Sequence, residues 1–239
     1  MGSRKLAIKY IFDVDGTLTP SRGRMDYDFR AFFNAFSMVN DVYLVTGSDK
    51  PKTIEQITEP TYNLCKRVYQ CNGNDVWEGK VNIKHSEWTL PEDAHEWLSI
   101  ELTSSAFPLR TGLHFEHRHG MTNYSVVGRN ATLGERKLYV KYDLEHNERN
   151  KIAGKFNLLF PELEARPGGE TGIDIGLKGS DKSQILHDFD INDELHFFGD
   201  RMDKAGNDYP LKKQIIDSDL GMCYNVKDYK ETWQLLEEI

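Results

Sequence analysis

The segment I-F-D-V-D-G-T-L-T-P, Ile11–Pro20, sets Asp13 and Asp15 two residues apart, where an apolar run ends and a turn begins. In an extended chain a period of two puts both carboxylates on one side, where they repel unless a cation or a shared proton relieves them. Such a pair suits a nucleophile beside an acid/base group, because their surroundings can split their proton affinities. An ordinary Asx turn onto Gly16 would use the same residues and do no chemistry. Three further features bear on the choice. V-T-G-S, Val45–Ser48, offers the Thr46 hydroxyl at the end of a second apolar run. Lys182, in G-S-D-K-S, offers a cation just before a helical stretch. F-F-G-D-R-M-D-K-A-G-N-D, Phe197–Asp208, offers Asp200 at the end of another run, with Asn207 and Asp208 following. Alone, each reads as a loop, a solvated lysine or a turn. In this order, at successive strand ends, chance is a poor account of them.

The elements that must carry these residues follow from hydrophobic periodicity. Lys5–Asp13, Val42–Val45 and Arg67–Cys71 read as buried strands, and Asn72-Gly73 as a turn. Asp26–Met38, with Phe29, Phe32, Phe33 and Phe36 at helical spacing, and Pro51–Leu64 read as the helices between the strands. This alternation predicts a Rossmann-like α/β core with a parallel sheet, in which ligands collect at the carboxyl ends of the strands. From about His85 the texture changes to a helical P-E-D-A-H-E-W-L-S-I-E-L and alternating segments at 113–116 and 122–127. A charged helical stretch, 134–159, and an extended one, 163–175, complete it. The first texture returns with a helix at 183–189, strands at 196–198 and 221–225, and a last amphipathic helix at 228–239. The expected organisation is a core of residues 1–84 plus 181–239, interrupted by an inserted α+β cap of residues 85–180.

Composition bounds what such a chain can do. With 239 residues, 38% apolar and 28% charged, it can bury a substantial core. A formal net charge of −8 argues against a broad basic face for nucleic acid or an anionic membrane, so a bound anion must be held by a local cluster. Cys65, Cys71 and Cys223 have neither the count nor the spacing of a disulfide framework or a zinc site and read as buried thiols. No apolar run is long enough to span a bilayer and none resembles a secretion signal, so a cytoplasmic protein is expected.

One candidate anion cluster lies in H-R-H-G-M-T-N-Y-S-V-V-G-R-N-A-T-L-G-E-R, His117–Arg136. Arg118 and Arg129 on paired strands and Arg136 at a helix start could converge on one anion, or could pair on the surface with the many glutamates. His114, His117 and His119 nearby form no clear ligand set, and Trp88 and Trp97 read as core of the insert.

Taken together, the four strand-end motifs resemble those of the haloacid-dehalogenase superfamily of phosphotransferases. The resemblance implies that Asp13 attacks phosphorus to form an aspartyl phosphate and that Asp15 exchanges protons with the leaving and entering oxygens. Thr46 and Lys182 would hold phosphoryl oxygens. Mg²⁺ would be held by Asp13, the backbone carbonyl of Asp15, Asp200 and Asp208. The arginine segment, with its R-x-G-M-x-N-x-S-x-x-G-R and a following E-R, is similar to that of the eukaryotic-type phosphomannomutases. So are Arg22 shortly after the first motif and Gly168, Gly169 and Asp174 in a G-G-x-x-x-x-D segment. This narrower likeness implies that Arg22, Arg118, Arg129 and Arg136 hold the non-reacting phosphate and that Asp174 contacts sugar hydroxyls. It further implies a phosphomutase acting on hexose 1- and 6-phosphates, primed by a hexose 1,6-bisphosphate, serving GDP-mannose biosynthesis and dimerising through the cap. A sugar-phosphate phosphatase, and less so a non-catalytic sugar-phosphate binder, are the alternatives. Two departures stand out: Gly172 where the family usually has serine, and Thr46 where it commonly has glycine.

Overall fold

A computed structural model describes residues 7–239; the first two residues of the strand expected from Lys5 lie outside them. The chain opens with β1 (Ala7–Phe12), α1 (Tyr27–Val39), β2 (Asp41–Val45), α2 (Lys50–Ile57), α3 (Glu59–Leu64) and β3 (Arg67–Gln70). The hairpin β4 (Asp75–Glu78) and β5 (Val81–His85) follows. Next come α4 (Glu92–Ser104), β6 (Phe115–Arg118), β7 (Met121–Tyr124), α5 (Leu133–His146), α6 (Glu148–Leu159), β8 (Leu163–Gly168) and β9 (Gly172–Leu177). The last elements are β10 (Asp193–Gly199), α7 (Tyr209–Asp217), β11 (Gly221–Asn225) and α8 (Tyr229–Glu237). Two compact units result. One comprises the chain up to His85 with Asp181–Lys204 and Asp208–Ile239; the other comprises Ser86–Ser180 with the short Ala205–Asn207.

The first unit is built on a seven-stranded sheet of order β11-β10-β1-β2-β3-β4-β5. The five strands from β11 to β3 are parallel, while β4 and β5 are antiparallel additions at one edge that the periodicity did not predict. Parallel strands are covered on both faces, and Ile11 and Phe12 accordingly are fully buried. Phe12 meets Phe33 of α1 edge-on at 5.2 Å and stacks on Phe198 at 4.9 Å, so the first helix and the central strands share one apolar cluster. Asp26 starts α1 by accepting from the backbone N–H groups of Asp28 and Phe29 at 3.0 and 3.1 Å.

Two expected single helices are each divided. Pro51–Leu64 breaks at Thr58, whose φ of 75° ends α2 before Pro60 enters the first turn of α3. The stretch 134–159 breaks at Asn147, which takes the left-handed conformation with φ 53°. Residues 182–188 form a 3-10 helix, with Asp181 accepting from the Ser183 N–H at 2.9 Å.

The second unit has a four-stranded antiparallel sheet of order β6-β7-β9-β8. Alternation decides its two faces. Phe115, Tyr124, Ile173, Ile175, Leu163 and Ala165 join the apolar cluster to which Ala94, Leu98, Tyr139, Ile152, Ala153 and Phe156 of α4, α5 and α6 also belong. The intervening positions belong to the opposite face, and the register lines up Glu116, Asn123, Asp174 and Arg166 in one row across all four strands.

Candidate active site

In the first unit the chemistry-bearing residues sit just past the carboxyl ends of neighbouring strands. Phe12 pairs in register with Phe198 on β10 and Leu44 on β2, so Asp13, Asp200 and Thr46 emerge at nearly the same level. The Asp13 N–H still donates to the Phe198 carbonyl at 2.9 Å, which ties the residue after β1 to the adjoining strand. Lys182 arrives from the start of the 3-10 helix and is fully buried. Its ammonium donates to an oxygen of Asp13 and, at 2.7 Å, to Asp208. Burial works against the charged lysine, but the two carboxylates outweigh it and hold its pKa above the usual range. Burial, reinforced by Asp208 and Asp200, raises Asp13 well above the ordinary carboxylate range despite the pull of Lys182. Burial and the adjacent Asp208 push Asp200 up to about 7.

This electrostatic pattern has one evident remedy. One oxygen from each of Asp13, Asp200 and Asp208 lies within 4.8 Å of the others. Three carboxylates against a single ammonium leave two negative charges unbalanced. Hard oxygen donors of this kind, two buried and that of Asp200 partly so, fit a divalent cation such as Mg²⁺. The backbone makes room for them: a β-carbon at Gly16, where φ is 82°, would overlap the Asp200 carboxylate, and one at Gly199 would overlap that of Asp208.

Asp15 behaves differently. The extended geometry that would place it beside Asp13 ends at Phe12, and Val14 lies in a bend. The Asp15 carboxylate is outside the three-aspartate cluster. Its Oδ1 accepts from the Arg22 backbone N–H at 2.5 Å and from the buried Gln56 side chain at 2.9 Å. Among the described residues its Oδ2 has no hydrogen-bonding partner, so one oxygen is anchored and the other is available for proton exchange. Arg22, with φ 56°, contributes its backbone here, and its side chain is exposed. Thr46 is buried, its hydroxyl accepting from the Ser48 N–H at 3.1 Å and its carbonyl from the Asn72 N–H at 2.8 Å.

The second unit gathers three of the four arginines singled out in the sequence. Glu116 stands between two of them. Its Oε1 accepts from Arg118 Nε and Nη2 at 2.9 and 2.7 Å, and its Oε2 accepts from Arg129 Nε. Burial pulls the Arg129 pKa below its usual value and Glu116 opposes that pull. Burial tends to raise Glu116, yet the two guanidiniums hold it below the usual carboxylate value. Arg136, at the start of α5, is 5% exposed. Its Nη2 donates to Glu170 at 3.1 Å, whereas its buried Nε and Nη1 have no hydrogen-bonding partner. Asp174 accepts from the Asn123 amide at 2.6 Å. Gly168 and Gly172 leave space for that pair, since a β-carbon at the first would overlap Asp174 and at the second the Asn123 amide.

The profile of the eukaryotic phosphomannomutase family matches residues 29–239 of the chain. The chain belongs to the eukaryotic phosphomannomutase family. A phosphomannomutase of Glycine max is 33% identical over 219 residues, covering 88% of this chain and 89% of the relative. One of Saccharomyces cerevisiae is 31% identical over 240 residues, covering 96% and 92%. In three dimensions the chain is similar to a HAD subclass IIB sugar phosphatase, with a TM-score of 0.60 at 13% identity and coverage of 97% and 98%. The expected fold, an α/β haloacid-dehalogenase core carrying a second sheet module, is the one found.

Gln56 and Glu116 escaped the sequence reading. Gln56 sits in a helix 41 residues from the carboxylate it holds, and nothing in its spacing signals the contact. Glu116 was legible in principle, because it lies two residues before Arg118 on the same strand face. The role expected of Lys182 as a phosphate ligand omitted its bonds to Asp13 and Asp208, which only the fold brings together.

Proposed function

We propose that this protein is a phosphomutase that interconverts hexose 1-phosphates and hexose 6-phosphates, mannose first and glucose second, through a phosphorylated Asp13. One observation carries the choice over a phosphatase: the nearly fully buried Arg136 guanidinium with two unpartnered donor nitrogens, Nε and Nη1. A buried cation with unpaired donors calls for an anion, and hydrolysis of a monophosphate needs no second phosphate site. The alternative sugar-phosphate phosphatase is favoured only by Thr46, which many phosphatases of the superfamily share.

The residues divide the work as follows. A carboxylate oxygen of Asp13 attacks phosphorus, and the bond from phosphorus to the sugar oxygen breaks. Asp15 Oδ2 gives that oxygen a proton and recovers one when a sugar hydroxyl later takes the phosphoryl group back. Lys182 opposes the protonation that burial favours at Asp13 and, with Thr46, holds phosphoryl oxygens during the transfer. Mg²⁺, held by Asp13, Asp200, Asp208 and the Asp15 carbonyl, would neutralise phosphate charge as it shifts. Arg118, Arg129 and Arg136, with Arg22, hold the phosphate that is not reacting, and Asp174 orients the sugar through its hydroxyls. The first unit is thus the catalytic core and the second a substrate-binding cap. A hexose 1,6-bisphosphate primes Asp13.

Among the described residues no helix is long and apolar enough to cross a membrane. A cytoplasmic homodimer supplying GDP-mannose synthesis fits the family. Exposed Ile100, Leu138, Leu144 and Leu158 on the helices of the second unit support pairing through it. The test is labelling with glucose 1,6-bisphosphate radioactive in its phosphates, followed by peptide mapping. Acid-stable, hydroxylamine-labile label on Asp13 is expected. Label on another residue, or none, overturns the mechanism.

A further inference from the structure

Glu116 is out of place in a cluster meant to attract phosphate. It lies on the polar row of the second sheet, and both its oxygens are spent on arginines, Oε1 on Arg118 and Oε2 on Arg129. The Arg118 and Arg129 side chains are 11% and 16% exposed, and that of Glu116 is 34% exposed. Arg129 offers Glu116 only its Nε; among the described residues its Nη1 and Nη2 have no hydrogen-bonding partner. The carboxylate therefore grips the inner edge of the fork and leaves the outer edge for a ligand. It also cancels one of the two positive charges it holds.

Resting on the phosphomutase reading above, we propose that Glu116 is a positioning residue that both fixes Arg118 and Arg129 and deliberately weakens their grip on the non-reacting phosphate. A mutase must release each end of its bisphosphate in turn, so the arginine site must not hold one phosphate much more tightly than the core holds the other. Two unscreened, partly buried guanidiniums would bind a phosphate dianion strongly. A fixed carboxylate behind them repels the same dianion while it aligns the forks. Tight binding of the ground state slows turnover without speeding the chemical step.

The test compares wild type, Glu116→Gln and Glu116→Asp by calorimetric titration with glucose 1,6-bisphosphate and by steady-state conversion of mannose 1-phosphate. Glu116→Gln keeps the shape and removes the charge. It is expected to lower the bisphosphate Kd about tenfold, which is 1.4 kcal/mol, and to lower kcat and KM together. Glu116→Asp keeps the charge and shortens the reach; its Kd is expected to stay within about threefold of wild type. It answers the question even where the glutamine variant folds poorly. If Glu116 only scaffolds the arginines, both variants bind more weakly and KM rises with kcat little changed, which overturns the proposal. Conversion by the wild type is read in the same assay, so a failure of the mutase reading shows itself separately, as binding without mannose 6-phosphate.

Discussion

The two units carry opposite electrostatic imbalances. At the strand ends of the first, Asp13, Asp200 and Asp208 face one buried ammonium, Lys182. On the second, Arg118, Arg129 and Arg136 face Glu116 and Glu170, and the charge left over is positive. Neither unit balances its site from within: the carboxylates of the first suit a divalent cation, and the role proposed for the arginines of the second is to meet a phosphate. They also differ in what holds them. The core residues are fixed by backbone at adjoining strand ends, whereas the arginines are fixed by side chains gripping side chains.

The contrast can be broken at either end. Asp13→Asn should lower turnover by about 10⁴-fold or more while leaving hexose-phosphate binding measurable, because it removes the nucleophile and no arginine. Calorimetric binding beside the mutase assay checks both halves. Lys182→Ala leaves Asp13 and Asp208 facing each other with no buried cation between them. It should cost about 3–5 kcal/mol in urea unfolding without divalent cation, and added Mg²⁺ should restore part of the loss.

Smaller effects sharpen the division of labour. Arg136→Lys keeps the charge and loses the planar fork, so KM for mannose 1-phosphate should rise about 10- to 100-fold. Phosphorylation of Asp13 by acetyl phosphate, which has no second phosphate, should be nearly unchanged. The smallest effect is a pH dependence. Because Arg118 and Arg129 hold the folded-state pKa of Glu116 below its usual value, its ionised form stabilises the fold fully above about pH 4.3. That stabilisation is lost as pH falls through the lowered value. The Tm gap between wild type and Glu116→Gln should therefore be flat near neutrality and close on acidification below about pH 4.

Much of this was readable in the residues themselves. The parallel core was legible because Ile11, Phe12, Val42, Leu44 and Val68 form continuous apolar runs that only a doubly covered sheet can bury. The edge hairpin β4–β5 was not, since Val81, Ile83 and Lys84 lie on a largely exposed edge and carry little periodic signal. The helix α7 was overlooked although Leu211 and Ile215 are four apart and Pro210 stands in its first turn. Asp13, Lys182, Asp200 and Asp208 were named from motif order, but their mutual contact spans up to 169 residues of sequence and depends on strand order. The departure at Gly172 gains a physical meaning only in three dimensions, where the missing side chain makes room for Asn123 to hold Asp174.

The most direct test of the account is phosphorus NMR of the purified protein with mannose 1-phosphate, Mg²⁺ and a trace of glucose 1,6-bisphosphate. Mannose 6-phosphate should accumulate with no matching rise in inorganic phosphate. Inorganic phosphate released one for one with free mannose would contradict it and make the protein a phosphatase.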